Sequence, residues 1–102
     1  MIDSRLRQRQ ERIRLPKWLE AARGEECTLQ HPLYCCHDPE TTVAAHSNWD
    51  KGKGMKADDC MIAFACHGCH RYLDDQRDHG RYLMWLRAHG RTLRRLWEKG
   101  VL

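Results

Sequence analysis

The apolar positions of this chain fall into two short runs and one long stripe. Thr41–His46 (TTVAAH) and Cys60–Ala65 (CMIAFA) are brief, apolar and rich in β-formers, and each predicts a strand. The segment between them, SNWDKGKGMKADD, is polar and carries two glycines, so it predicts a long loop closing a β-hairpin. Further on, Tyr82, Trp85, Leu86, Leu93, Leu96 and Trp97 recur at three- and four-residue steps, with His89 on the same stripe. That period predicts a helix over 81–99, separated from what precedes by Gly80 and weakened where Gly90 interrupts it. CHGCHRYLDDQ, directly after the second run, reads as a short helix. Upstream, residues 3–15 are polar, arginine-rich and helical in pattern, with only Leu6, Ile13 and Leu15 as apolar anchors, until Pro16 interrupts them. Helix resumes at Lys17–Arg23 (KWLEAAR), and Gly24 reads as its C-cap. The predicted class is α+β, in the order helix, knuckle, hairpin, helix, helix. The expected organisation is one domain over 1–102: a basic arm at 1–16, a core at 17–76 and a closing helix at 81–99.

A chain of 102 residues makes one small domain with a thin core. Phe64 is the only phenylalanine and long apolar runs are missing, so something besides packing is expected to contribute stability. Six cysteines and seven histidines suggest a metal. The opening MIDSRLRQRQERIR has no apolar core of a signal peptide, and no stretch approaches the roughly 18 apolar residues of a membrane span. A cytoplasmic location without a membrane partner is therefore expected. Thiols stay reduced there, and clustered cysteines more often bind metal than form disulfides. The net charge of +4 permits a nucleic-acid partner without demanding one.

Cys66-His67-Gly68-Cys69 is a C-x-x-C knuckle, whose turn can aim two thiolates at one tetrahedral ion. A second pair lies upstream, Cys27 with Cys35 or Cys36. Adjacent side chains point in different directions, so only one of the latter two serves easily. Together the pairs predict a structural four-cysteine zinc site. A redox reading of C-x-x-C needs a thioredoxin-like βαβ setting, which this pattern lacks. Cys60, within a predicted strand, reads as a core residue.

His70 follows the knuckle directly. One residue along a helix is a rotation of about 100°, so His70 faces away from the zinc and can serve a second site. Asp74 lies four residues on, on the same helical face, able to ligate the same ion or to orient the ring. His46 ends the first strand, where it can face that helix across the hairpin and act as a general base on water. Asp59 closes the loop, as a metal ligand or as a fastener of the loop. Lys51, Lys53 and Lys56 stud the glycine-containing loop and suit a phosphate backbone. His31, His37, His79 and His89 have no supporting partners in the sequence and read as surface or packing residues, and His67 either shares the side of His70, three residues on, or simply sits in the knuckle.

In this order, AAHSN, KADD and CHGCH resemble the HNH (ββα-metal) nucleases, which have a histidine ending strand one, an Asn or Asp in the loop or at strand two, and a histidine starting the helix. The run AARGEEC, Cys35, PETTVAAH, KADD and ACHGCHRYLD resembles in particular the YbcO-like prophage nucleases, over about residues 20–76. The resemblance implies a small zinc-stabilised ββα-metal domain flanked by N- and C-terminal helices. It implies Cys27, Cys35, Cys66 and Cys69 as zinc ligands, favouring Cys35 over Cys36. It also implies His46 as general base and His70, with a carboxylate such as Asp59, as ligands of a second divalent cation: Mg²⁺, Mn²⁺, Ni²⁺ or Zn²⁺. The implied activity is hydrolysis of DNA phosphodiesters with little sequence preference, Lys51, Lys53 and Lys56 holding the backbone. One position departs from the wider HNH pattern. Those enzymes often carry a metal-binding Asp or His directly before the base, and this chain has Ala45; Asp59, Asp74 and Asn48 are the residues able to replace it. The competing reading is a non-catalytic zinc module that binds nucleic acid or protein and needs neither His46 nor His70.

Overall fold

Pro16 opens a helix rather than ending one. A computed structural model describes residues 12–47, 57–75 and 79–102 of the chain. Arg12–Leu15 carries no helix, and residues 3–11 of the expected N-terminal helix lie outside the described residues. Helix α1 runs Pro16–Glu20 with the proline in its first turn, where the fixed φ and the missing N–H cost nothing. It stops short of the expected Arg23 and passes through a turn to Gly24, whose φ of 73° is the left-handed conformation glycine adopts freely.

Both strands are shorter than their apolar runs. The Asp38 carboxylate accepts from the Glu40 amide at 3.1 Å and opens a 3-10 turn over Pro39–Thr41, so β1 is Val43–His46. On the other side the Met61 amide donates to the Asp58 carbonyl at 2.9 Å, a turn that delays β2 to Ile62–Ala65. Cys60 consequently sits half-buried in a turn, not in a core strand as expected. The strands are antiparallel, Val43 opposite Ala65 and His46 opposite Ile62. A two-stranded sheet is marginal on its own in water. Here α1, helix α2 (His67–Asp75) and helix α3 (Gly80–Glu98) cover it.

Strand alternation gives the sheet two apolar faces. Ala45, Ala63 and Ala65 pack with Cys27, Cys66, Cys69, Tyr72 and Leu73, and with Trp85 and Ala88 of α3. Ile62 and Phe64, with Ala44 beside them, pack against Ala21, Ala22 and Leu96. The outer edge of β2 is closed as well. The Thr28 amide and hydroxyl both donate to the Phe64 carbonyl, at 2.8 and 2.9 Å. The Phe64 amide donates to Thr92 Oγ1 at 3.0 Å, and His89 Nδ1–H donates to the Ile62 carbonyl at 2.6 Å. An edge that would otherwise expose unpaired backbone is thereby satisfied. His89, read from the sequence as partnerless, thus has this bond and a ring stacked on Trp85 at 4.8 Å.

Helix α3 runs unbroken through Gly90. Its buried stripe is Trp85, Ala88, Thr92 and Leu96, whereas Tyr82, Leu86 and Trp97, expected on the same stripe, are exposed. Ala88 and Thr92 do not register in an apolar pattern, yet their small size lets the helix lie against β2. The helix ends in a Schellman turn: the Val101 amide donates to Leu96 O, the Gly100 amide to Trp97 O, and Gly100 takes a φ of 74°. Glu25 ties this end to the turn after α1 through Arg95 and Lys99, both at 2.9 Å.

Candidate functional site

The knuckle lies where β2 hands over to α2. Cys66 follows the last strand residue and Cys69 sits in the first turn of the helix, both fully buried. Gly68 between them is required by a close approach: a Cβ there would lie 1.9 Å from the Tyr34 carbonyl oxygen. That contact brings the 31–36 loop onto the knuckle and delivers the Cys35 thiol. Cys27 arrives from the chain leading to Thr28, which is pinned to β2. The sulfurs of Cys27, Cys35, Cys66 and Cys69 all lie within 4.8 Å of one another, and those of Cys35 and Cys66 are 3.7 Å apart. A tetrahedral zinc with Zn–S bonds of about 2.3 Å spaces its sulfurs about 3.8 Å apart, so the donor set fits. Cys36 stays outside the cluster, its thiol 3.4 Å from the Thr41 hydroxyl and its amide donating to Cys66 Sγ.

The electrostatics of the cluster suit a cation. The Cys27 thiol is lowered to about 4, chiefly by the hydrogen bond from Cys69, against burial and with help from the Gln30 amide. The same bond and burial push Cys69 up, and burial chiefly drives Cys35 up to about 11. Crowded sulfurs cannot all ionise without a positive partner, so the first thiolate forms at its neighbours' expense. Backbone amides already point at the sulfurs: Gln30 to Cys27, His31 to Cys69, and Cys36 and Cys69 to Cys66, each at 3.4 Å. These are the outer hydrogen bonds that orient thiolate ligands. Four cysteines are therefore positioned to hold a metal ion.

A second constellation stands at the far end of β1. His46 Nε2 lies 2.9 Å from Asp59 Oδ1, with side-chain exposures of 15% and 4%. Asp59 Oδ2 accepts from the Leu15 amide at 2.8 Å, so both carboxylate oxygens are engaged. Burial pushes this carboxyl up, but the bonds from His46 and Leu15 and the charge of Arg12 outweigh it and hold it below its ordinary value. The proton on Nε2 faces the carboxylate, which leaves the ring's lone pair on Nδ1. Alternation puts His46 on the sheet face of Ala44, beside Leu19, Ala22 and Arg23, which with it line an open depression of about 230 Å³. The face that α2 covers carries Ala45 instead, 1% exposed, its carbonyl accepting from Trp85 Nε1 at 3.0 Å. The expectation that His46 itself faces the helix across the hairpin is corrected here: a strand reverses its side chains at each residue.

His70 and Asp74 share the outer face of α2, 3.8 Å apart and roughly half-exposed. Among the described residues no hydrogen bond or ion pair joins them to His46 or Asp59. Lys51, Lys53, Lys56 and Asn48 lie outside the described residues. Sequence reasoning missed Leu15 and Asp58, the two residues that fasten the chain before α1 to the turn before β2. A backbone amide donor has no sequence signature; the adjacent acids Asp58-Asp59 were the one available hint. Among the described residues no helix is long and apolar enough to cross a membrane.

Comparison with known proteins converges on one family. A family model described as "Putative nuclease YbcO" matches residues 16–101. The chain is 40% identical over 57 residues to "Putative nuclease YbcO" of Escherichia coli (strain K12), and equally so to "Putative nuclease ybcO" of Enterobacteria phage 82. Each match covers 54% of this chain and 59% of the relative, so the matched segment spans well under two thirds of those proteins. A solved structure described as a "putative bacteriophage protein from Escherichia coli str. K-12 substr. MG1655" superposes with a TM-score of 0.66 at 31% identity, covering 80% of this chain and 98% of the other.

Proposed function

The chain belongs to the family described as "Putative nuclease YbcO", and from that membership we propose that it is an HNH-type, metal-dependent endonuclease hydrolysing DNA phosphodiesters, with His46 as general base and a structural zinc on Cys27, Cys35, Cys66 and Cys69. The observation that carries the reading is the His46–Asp59 pair at 2.9 Å. A histidine whose Nε2–H is held by a buried carboxylate keeps one tautomer, with Nδ1 as the acceptor. In the reaction, His46 Nδ1 takes the proton of a water as its oxygen attacks phosphorus, and the P–O bond to the 3′ oxygen breaks. The charge that forms on the imidazole is balanced by Asp59. The order β1, β2, α2 supports the ββα-metal assignment. His70 and Asp74, an exposed imidazole and carboxylate on one helical face, fit as partial holders of a divalent cation. When bound, such an ion neutralises the phosphate and the leaving oxygen. Asp59, expected as a ligand of that ion, has both oxygens occupied and in this proposal holds the base instead. Contacts to phosphates, from Lys51, Lys53 and Lys56 by sequence, account for little sequence preference.

A non-catalytic zinc module is favoured by one observation. Ala45, at the position where HNH enzymes often carry a metal ligand, is buried among apolar side chains and cannot bind an ion. Plasmid nicking with Mg²⁺, Mn²⁺, Ni²⁺ or Zn²⁺, beside a His46→Ala control, separates the two. Cleavage that His46→Ala removes supports the enzyme; binding of DNA without cleavage under any of these ions supports the module.

A further inference from the structure

The segment before α1 joins the fold through its backbone. The Ile13 amide donates to Asp58 Oδ1 at 2.7 Å, and the Asp59 amide donates back to the Ile13 carbonyl at 3.0 Å. The Leu15 amide then donates to Asp59 Oδ2 at 2.8 Å. Ile13 is 47% exposed and Arg14 is exposed, while Arg12 and Leu15 are half-buried, so the charge of Arg12 adds to these backbone bonds in docking the segment. The three bonds form a strap across the turn that precedes β2; one ends on Asp58 and two on Asp59, the buried acid that touches His46.

The consequence is mechanical. A carboxylate gripped on one oxygen swings about its χ2 torsion, because that terminal torsion is broad. Asp59 is gripped on both: Leu15 holds Oδ2 and His46 lies against Oδ1. Rotating the carboxylate to relax one bond breaks the other. The ring of His46 therefore takes its orientation from a residue in a separate part of the chain. Charge-assisted bonds to a carboxylate are short and about twice as strong as neutral ones, and this carboxylate is 4% exposed, so water does not replace a lost partner cheaply.

We propose that Arg12–Leu15 is a positioning strap for the histidine: the Leu15 amide fixes Asp59, and Asp59 fixes His46 with its proton on Nε2 and its lone pair on Nδ1. Leu15 and Asp59 are positioning residues. The inference rests on the reading of His46 as the base, but the strap has a readout that does not depend on cleavage.

The test uses the full chain. An ester replaces the Arg14–Leu15 peptide bond, with the α-hydroxy analogue of leucine at position 15 introduced by semisynthesis; this removes the amide donor, sets an ester oxygen against the Asp59 carboxylate and weakens the Arg14 carbonyl as an acceptor, while every side chain is kept. Asp58→Ala loosens the strap at its other anchor, leaving Asp59 and His46 in place. The ¹⁵N shifts of the His46 ring, recorded above the imidazole's titration range, report which nitrogen carries the proton. The wild type is expected to show one tautomer, protonated on Nε2. The ester protein is expected to show a mixture of tautomers and a turnover number lower on the order of 10-fold, with KM for plasmid unchanged. Asp58→Ala is expected to move both readouts in the same direction by less. Ring shifts identical to wild type in both variants overturn the strap, whatever the cleavage rates. If the wild type cleaves no DNA with any divalent ion, the proposed function falls and the ring nitrogens alone decide the strap.

Discussion

His46 was visible in the sequence because a histidine at the end of an apolar run, ahead of a glycine-bearing loop, is a chemical residue in an unusual place. Its working surroundings were not visible. The sequence suggests a base facing a helix across a hairpin; the structure puts Ala45 on that face and turns His46 toward Asp59 on the other. The difference is a single step of strand alternation, which fixes every side chain once the register is known. The proposal makes His46→Ala decisive at this scale. Loss of a general base commonly costs roughly 10²–10⁴-fold in rate, and the expected outcome is loss of metal-dependent nicking of that order with zinc content and fold intact. Excess divalent ion should not restore it, because the base itself is missing. His70→Ala should also lose cleavage but recover part of it at high metal, since an exposed ligand pair with only one member replaced still binds weakly. Nicking assays across a metal titration check both, and a His46→Ala protein that cleaves at the wild-type rate sinks the assignment.

Elements are held in place here by a few tight approaches, and those are where single changes should be felt. Gly68 sits where α2 begins and where the Tyr34 backbone presses in, so Gly68→Ala forces apart the knuckle and the loop carrying Cys35. A cost of at least about 1–3 kcal/mol is expected from such overpacking, read as a lower melting temperature together with faster loss of metal to a chelator. Unchanged metal retention would mean that the loop does not depend on this approach. At the far end, Glu25 links the turn after α1 to α3. The hydrogen bond from Arg95 chiefly lowers its carboxyl below the usual 4.5, with Lys99 adding to this against burial. A depressed acid stabilises the fold fully above its unfolded value and loses that contribution as pH falls through the folded value. Glu25→Gln should therefore cost up to about 1 kcal/mol near neutrality, and the gap from wild type should close below about pH 4. Urea unfolding at a series of pH values measures that gap, and one that widens on acidification would contradict the sign. The strands and α3 were legible because apolar runs and the helical period survive in any sequence with buried faces. Their ends were not, because Asp38 and Asp58 truncate the strands through local backbone bonds. The buried face of α3 was misread because Ala88 and Thr92, two of its four buried residues, are not large apolar residues.

As a whole, the molecule has two small apolar clusters on either side of a two-stranded sheet, and one of them is built around thiols. Cys27, Cys66 and Cys69 belong to that cluster outright, with Cys35 packed against it. These cysteines come from three separate parts of the chain: the approach to Thr28, the loop at 31–36 and the start of α2. Without a cation, four thiolates this close repel one another, and burial further disfavours the charge on Cys35. With a cation the same crowding becomes four bonds tying those segments together. The other cluster, around Phe64 and Leu96, is too small to hold the fold alone in a chain of this size. Metal binding and folding should therefore be one transition. One tightly held zinc per chain is expected in the purified protein, and strong chelators should unfold it, seen as loss of far-ultraviolet ellipticity that returns with added zinc. Cys66→Ser and Cys69→Ser should give unfolded or insoluble chains, because each leaves a buried polar group among sulfurs that can no longer share an ion. Cys36→Ser, whose sulfur lies outside the cluster, should fold and keep its zinc. A Cys66→Ser protein that is folded, soluble and zinc-free would show that packing alone suffices, and would remove the metal from the account of how this chain folds.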